Sequence, residues 1–212
     1  MATGMGVDTR EAATAETARA ARTRAALVDA VLARLRSDGA FTTEQVATDA
    51  EVSVATVYNR FPDGRDGLLA AAFDRSLTRV VAAGDEPLTV EHLLDHGLEA
   101  TLAAFVEGLA GAFAEEALVF RAALARLSES RAIRDAYRSH EAGSRAVNRR
   151  FVELGQAAGR ISGGDPEELA DLLLVVGQGV NNPALLGAAD RGPLCAHLSA
   201  ALFAVLSPEN PR

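Results

Sequence analysis

The chain has 212 residues, of which 49% are hydrophobic, so it is long enough for one domain or two small ones and too apolar to be disordered throughout. Its net charge of −8 sets 29 acidic residues against 21 basic ones, all of them Arg, and the spread is uneven: residues 80–120 hold eight acids and no Arg, whereas residues 121–160 hold nine Arg and four acids. An acidic middle repels nucleic acid and membrane surfaces, which excludes a whole-molecule attraction to DNA and leaves only a local contact.

Ala and Leu dominate, Ile occurs only at Ile133 and Ile161, and Trp is absent. Such a composition favours helix over sheet, because Ala and straight-chain residues lose little entropy in a helix. Residues 1–15 are small, polar and unpatterned and read as a disordered tail. With Asp8, Arg10 and Glu11 and no apolar core, they are not expected to form a signal peptide. A first helix begins near Thr17, with Leu27, Val28, Val31, Leu32 and Leu35 on one face, and stops at Gly39.

Two short helices follow. Thr42 caps the first, Gln45 completes a capping box, and Phe41 with Val46 has the spacing of a hydrophobic staple. Ser53 caps the second, and Val52 with Val57 repeats the staple. Ala50, Glu51 and Val52 form the turn between them, which makes the pattern a helix-turn-helix with Val46, Ala47, Val52, Val57 and Phe61 inward. Pro62 and Gly64 end the second helix. The next helix covers about residues 65–83, and Gly84, Asp85, Glu86 and Pro87 read as a linker. Further helices are predicted at 89–113, 115–127, 130–159, 166–182 and 193–206, with Pro183 either ending or kinking its helix. No stretch has the roughly 18 apolar residues of a membrane span. The expectation is an all-α chain of about nine helices: a helix-turn-helix head over residues 16–84, including the linking helix, and a helical body over 85–212.

The residues from Phe41 to Ala47, from Ala50 to Ser53 and from Thr56 to Phe61, followed by Leu68 and Leu69, resemble the tetracycline-repressor (TetR) family. The specific likeness covers about residues 24–75. It implies a DNA-binding head, a small-molecule-binding body and dimerisation through the last two helices. It departs from the family pattern at Glu51, where Gly is usual, and at Arg65, which comes one position late because of Gly64.

Helices enter the major groove with N-terminal side chains on base edges. The candidate DNA-binding set is Arg22, Thr42, Thr43, Ser53, Val54, Ala55, Thr56, Tyr58, Asn59, Arg60 and Arg65. Thr56 and Asn59 suit bases and Arg60 a guanine or a phosphate; Thr43, Tyr58 and the arginines that open the first helix, Arg19, Arg22 and Arg24, suit phosphates. In the helix predicted at 130–159, the stripe Ile133, Tyr137, His140, Ser144, Val147, Phe151 and Leu154 puts three polar residues on a core-facing seam. They either bond one another and the backbone or line a ligand pocket. The candidate ligand-binding set adds Phe105, Phe113, Phe120, Leu124, Gln178 and Asn181.

His92 and His96 share a helical face, as zinc ligands do, flanked by Glu91, Asp95 and Glu99. A solvated helix start with acids in its first turn is the preferred reading, and no metal or cofactor is expected. Leu169, Leu172, Leu173, Val176, Val180, Leu194, Leu198 and Leu202 either pair with a second copy or complete the chain's own core; the resemblance favours a homodimer interface. Cys195 reads as a small buried hydrophobe. No catalytic motif is present. The expected function is a cytoplasmic DNA-binding transcriptional regulator, a repressor released from a palindromic operator by a small-molecule effector. The alternative is a small-molecule- or metal-binding helical protein with a degenerate head.

Overall fold

The computed structural model describes residues 5–208, with side chains from residue 16 onward. Among them are nine helices and no strand, as the composition implies. They are α1 (Met5–Asp38), α2 (Thr43–Asp49), α3 (Val54–Arg60), α4 (Gly64–Asp85), α5 (Val90–Leu124), α6 (Arg131–Ala157), α7 (Pro166–Gly179), α8 (Pro183–Leu186) and α9 (Gly192–Leu206). The expected tail falls partly outside the described residues, at 1–4. From Met5 the chain is already helical, and no Gly or Pro interrupts it from Val7 to Asp38.

The local start signals act as read. Thr42 Oγ1 accepts from the Gln45 amide at 3.2 Å while Gln45 Oε1 accepts from the Thr42 amide at 2.9 Å. Ser53 Oγ accepts from the Thr56 amide at 3.2 Å. Glu51 has φ 54°, the only non-glycine positive φ among the described residues, so the turn keeps the left-handed step that Gly would take more cheaply. Leu27, Leu35, Val46, Val57, Phe61, Leu68 and Leu69 are each at 2% exposure or less and form the head end of one continuous core.

Three boundaries differ from the sequence reading. The expected linker is helical through Asp85, and Gly84 is buried because a Cβ there would stand 2.9 Å from Leu109 Cδ2. The helix expected to end near 113 continues to Leu124; its break lies instead at Gly97, with φ 80°, between arms at 90–96 and 98–124. Pro183 neither ends nor kinks a long helix: it opens α8, capped by Asn182.

Helix α4 is shared by the two halves. Its first turns complete the head core, and its remaining length packs on α5 and α6. Body closure comes from α7 against α6 and from α9 against α5, with the Ser162 amide donating to the Leu206 carbonyl at 2.8 Å.

Candidate functional site

Two surfaces carry the chemistry, and the first is the outer face of α3. Val57 is fully buried and anchors the helix, while Val54, Ala55, Tyr58, Asn59 and Arg60 face outward. Ser53 and Thr56 lie at the mouth of this face with their hydroxyls 2.9 Å apart, so the Thr56 side chain is half-buried and held by its cap. Arg19 and Arg22 stand exposed on α1.

Three of the residues expected to contact DNA are engaged within the fold. Arg24 lies 4.1 Å over the Phe61 ring and donates to the Arg60 carbonyl at 3.0 Å. Arg65 sits 5.1 Å from the Phe41 ring centre and donates to the Phe41 carbonyl at 3.3 Å, which braces α4 against the loop before α2. Thr43 is only 7% exposed, so the outward hydroxyl at this helix start is that of the capping Thr42.

The second surface is a cavity of about 260 Å³ between α4, α5, α6 and α7. Nine of the ten expected ligand residues line it: Phe105, Phe113, Phe120, Leu124, Tyr137, His140, Ser144, Gln178 and Asn181. Phe151 does not; it is 2% exposed and belongs to the core further along α6. The α6 stripe also drifts from the sequence reading. Asn148 and Val152 are buried where Val147 is half-buried and Leu154 exposed, as 3.6 residues per turn requires over a long helix.

The polar seam does not satisfy itself. His140 Nε2 meets Asp74 Oδ1 of α4 at 2.9 Å, outside the seam. Asn148 Nδ2 donates to the Ala170 carbonyl at 3.4 Å, and Gln178 Nε2 donates to Glu141 Oε1 at 3.4 Å. Among the described residues, nothing hydrogen-bonds to the side chains of Tyr137, Ser144 or Asn181.

Sequence reading missed Asp85, Glu141 and Asn148 in this lining. Asn148 follows Ser144 by one turn and Glu141 follows Tyr137 by one turn, so helical period offered a signal for both. Asp85 was hidden in a turn-like run. Burial alone pushes its carboxyl up to about 6, against about 3.9 in an unfolded chain. The folded chain therefore holds that proton more tightly, and stability falls as pH rises from about 4 to 6. Asp85→Asn removes this cost: its Tm exceeds that of the parent chain above about pH 6 and matches it below about pH 4. Equal Tm values at both ends would show that the carboxyl is solvated.

The expected interface divides. Leu169, Leu173, Val180 and Leu202 are at most 6% exposed within the chain itself and belong to its own core, because each packs inward from α7, its C-cap or α9. Leu172, Val176 and Leu198 are half-buried, Leu194 is exposed, and the unforeseen Val175 is 64% exposed. His92 and His96 lie 4.5 Å apart, with His92 Nδ1 and Thr101 Oγ1 at 3.0 Å. Among the described residues, no three His, Cys, Asp or Glu converge as a metal set. Cys195 is free and buried, and burial pushes its thiol up. No described helix is long and apolar enough to cross a membrane.

No model of a known protein family matches the chain. No curated protein matches it either. Solved structures do. A transcriptional regulator assigned to the TetR family, from Mesorhizobium loti, superposes with a TM-score of 0.72 at 22% identity, over 89% of this chain and 98% of its own. A TetR transcription regulator from Haloarcula marismortui gives 0.71 at 20%, over 88% and 100%. Reduced NemR from E. coli gives 0.65 at 16%, over 88% and 98%. The fold of this chain is the TetR fold.

Proposed function

We propose that this chain, with its TetR fold, is a homodimeric, sequence-specific DNA-binding transcriptional regulator without enzymatic activity. It acts as a repressor in the cytoplasm, released from a palindromic operator by a small-molecule effector. The observation that carries the reading is the outward row Val54, Ala55, Tyr58, Asn59 and Arg60 on a helix whose inner side is locked by Val57. Residues 16–84 form the reading head and 85–212 the effector-binding and dimerising body. The exposed Leu194 and Val175, with the half-buried Leu172, Val176 and Leu198, provide the apolar face for a second copy. Two heads then meet half-sites about one helical turn, roughly 34–36 Å, apart.

Helix α4 joins the two events. Leu68 and Leu69 sit in the core nearest the head, Phe73 packs on Phe120 and Tyr137, and Leu77, Val80, Gly84 and Asp85 of the same helix line the cavity. An effector shifts the dimer only by its difference in affinity between the bound and released arrangements.

Selection from a random duplex library at fixed, near-physiological salt tests the reading. An enriched palindrome is expected; no enrichment by a folded dimer overturns it. Within that palindrome, Asn59→Ala costs about 1–3 kcal/mol at one base position and relaxes its specificity. Arg22→Ala weakens all sequences alike and lowers the salt slope by about one. Equal behaviour of the two variants in a competition assay would remove the division between base and phosphate contacts.

A further inference from the structure

What fills the cavity can be read from its lining, given that the cavity is the effector site proposed above. The lining carries two carboxylates, Asp85 and Glu141, and among the described lining residues there is no Arg. The His140 imidazole, which also lines the cavity, is paired with Asp74 at 2.9 Å. Glu141 has Gln178 beside it, but nothing among the described residues hydrogen-bonds or ion-pairs with the Asp85 carboxylate. The rest of the wall is apolar and aromatic: Phe105, Phe113, Phe120 and the Tyr137 ring, with Leu109 and Val80.

The geometry points to a protonated amine with an apolar or aromatic body as the effector, its nitrogen at Asp85 and Glu141 and its body among the phenylalanines. An ammonium donates charge-assisted hydrogen bonds to a carboxylate that the protein leaves open at Asp85 and to Glu141 beside Gln178, and it gains from nearby aromatic faces. An anion in the same place would face two carboxylates, and the one base in the lining, His140, is already paired with Asp74. A neutral ligand fills the walls and leaves Asp85 without a counter-charge. The desolvation that raises the Asp85 carboxyl points the same way, because a bound cation relieves it.

The test is calorimetric titration of the full-length protein near neutral pH with three probes of one shape: phenylbutylamine, phenylbutanol and phenylbutanoate. The amine is expected to bind about ten-fold or more tighter than the alcohol, and the carboxylate to bind weakest. Asp85→Asn brings the amine down toward the alcohol and leaves the alcohol unchanged; Glu141→Gln gives a smaller loss of the same kind. Asp85→Asn is expected to fold, since it removes a buried charge. If the alcohol or carboxylate equals the amine, or if Asp85→Asn leaves amine binding intact, the ligand class is wrong while the cavity stands as a ligand site. If none of the three binds, the effector-site reading falls with it.

Discussion

Phe73→Ala unfolds in urea with about 3–5 kcal/mol less free energy than the parent chain, the full cost of emptying a closed aromatic site. Phe73 is fully buried in the middle of α4. It meets Phe120 edge-on at 5.1 Å and stacks parallel to Tyr137 at 6.4 Å, while Phe120 in turn meets Phe113 edge-on at 5.0 Å. Truncation removes the transfer free energy of a ring, leaves a void that two other helices cannot fill, and forfeits the aromatic pairings. Against a typical total of about 5–15 kcal/mol, that is a large fraction. The urea midpoint falls while the slope holds, because the surface exposed on unfolding hardly changes. Phe120 and Tyr137 line the cavity, so the same variant loosens its wall and weakens probe binding. A loss below about 1 kcal/mol would mean that the aromatic cluster is not close-packed.

The second large effect belongs to a buried carboxylate. Glu116 of α5 is 1% exposed. It accepts from Ser76 Oγ of α4 at 2.8 Å and pairs with Arg36 of α1 at 2.6 Å and Arg79 of α4 at 2.9 Å. Arg36→Ala combined with Arg79→Ala leaves this charge enclosed with one hydroxyl donor, and costs about 3–5 kcal/mol. Either change alone costs about 1 kcal/mol, because the remaining guanidinium still compensates the charge, so the cycle is strongly non-additive. Adding Glu116→Leu to the double variant restores most of the loss, since a packed aliphatic side chain needs no partner. Chemical denaturation of the parent chain and these four variants checks this. Additive singles, or no recovery with Leu, would show that the arginines act through packing of their stems.

Where the sequence was legible, the rule was local. The Thr42–Gln45 capping box, the Ser53 cap and the outward row of α3 depend on spacings of three and four residues, and side chains within one turn must meet whatever surrounds them. The seam Tyr137, His140 and Ser144 was legible because a helix repeats its faces, and the cavity formed where that face pointed. The errors came from contacts made at long range. Gly84 and Asp85 read as a linker because nothing nearby in sequence reveals Phe105 and Leu109, against which Gly84 packs. Leu173 and Leu202 carry the same apolar signal whether they face a second copy or their own core, so hydrophobicity alone could not divide them. Thr43 looked like a surface hydroxyl beside a cap, but α2 packs between α1 and α3 and leaves it only 7% exposed.

The packing of α9 on α5 also sets an order of events during synthesis. Each of Leu27, Leu35, Val46, Val57, Phe61, Leu68 and Leu69 lies before Asp85 and has been made when α4 ends, whereas Phe73 waits for Phe120 and Tyr137. The body waits for Leu202 and Leu206, the latter also bonded through its carbonyl to Ser162. At about 5–20 residues per second, the ribosome takes roughly 6–25 s to travel from the end of α4 to the end of α9. From the time α5 has been made until α9 follows, the part of the α5 face that α9 covers stays open, and a message cut short before α9 would release a chain that never buries it.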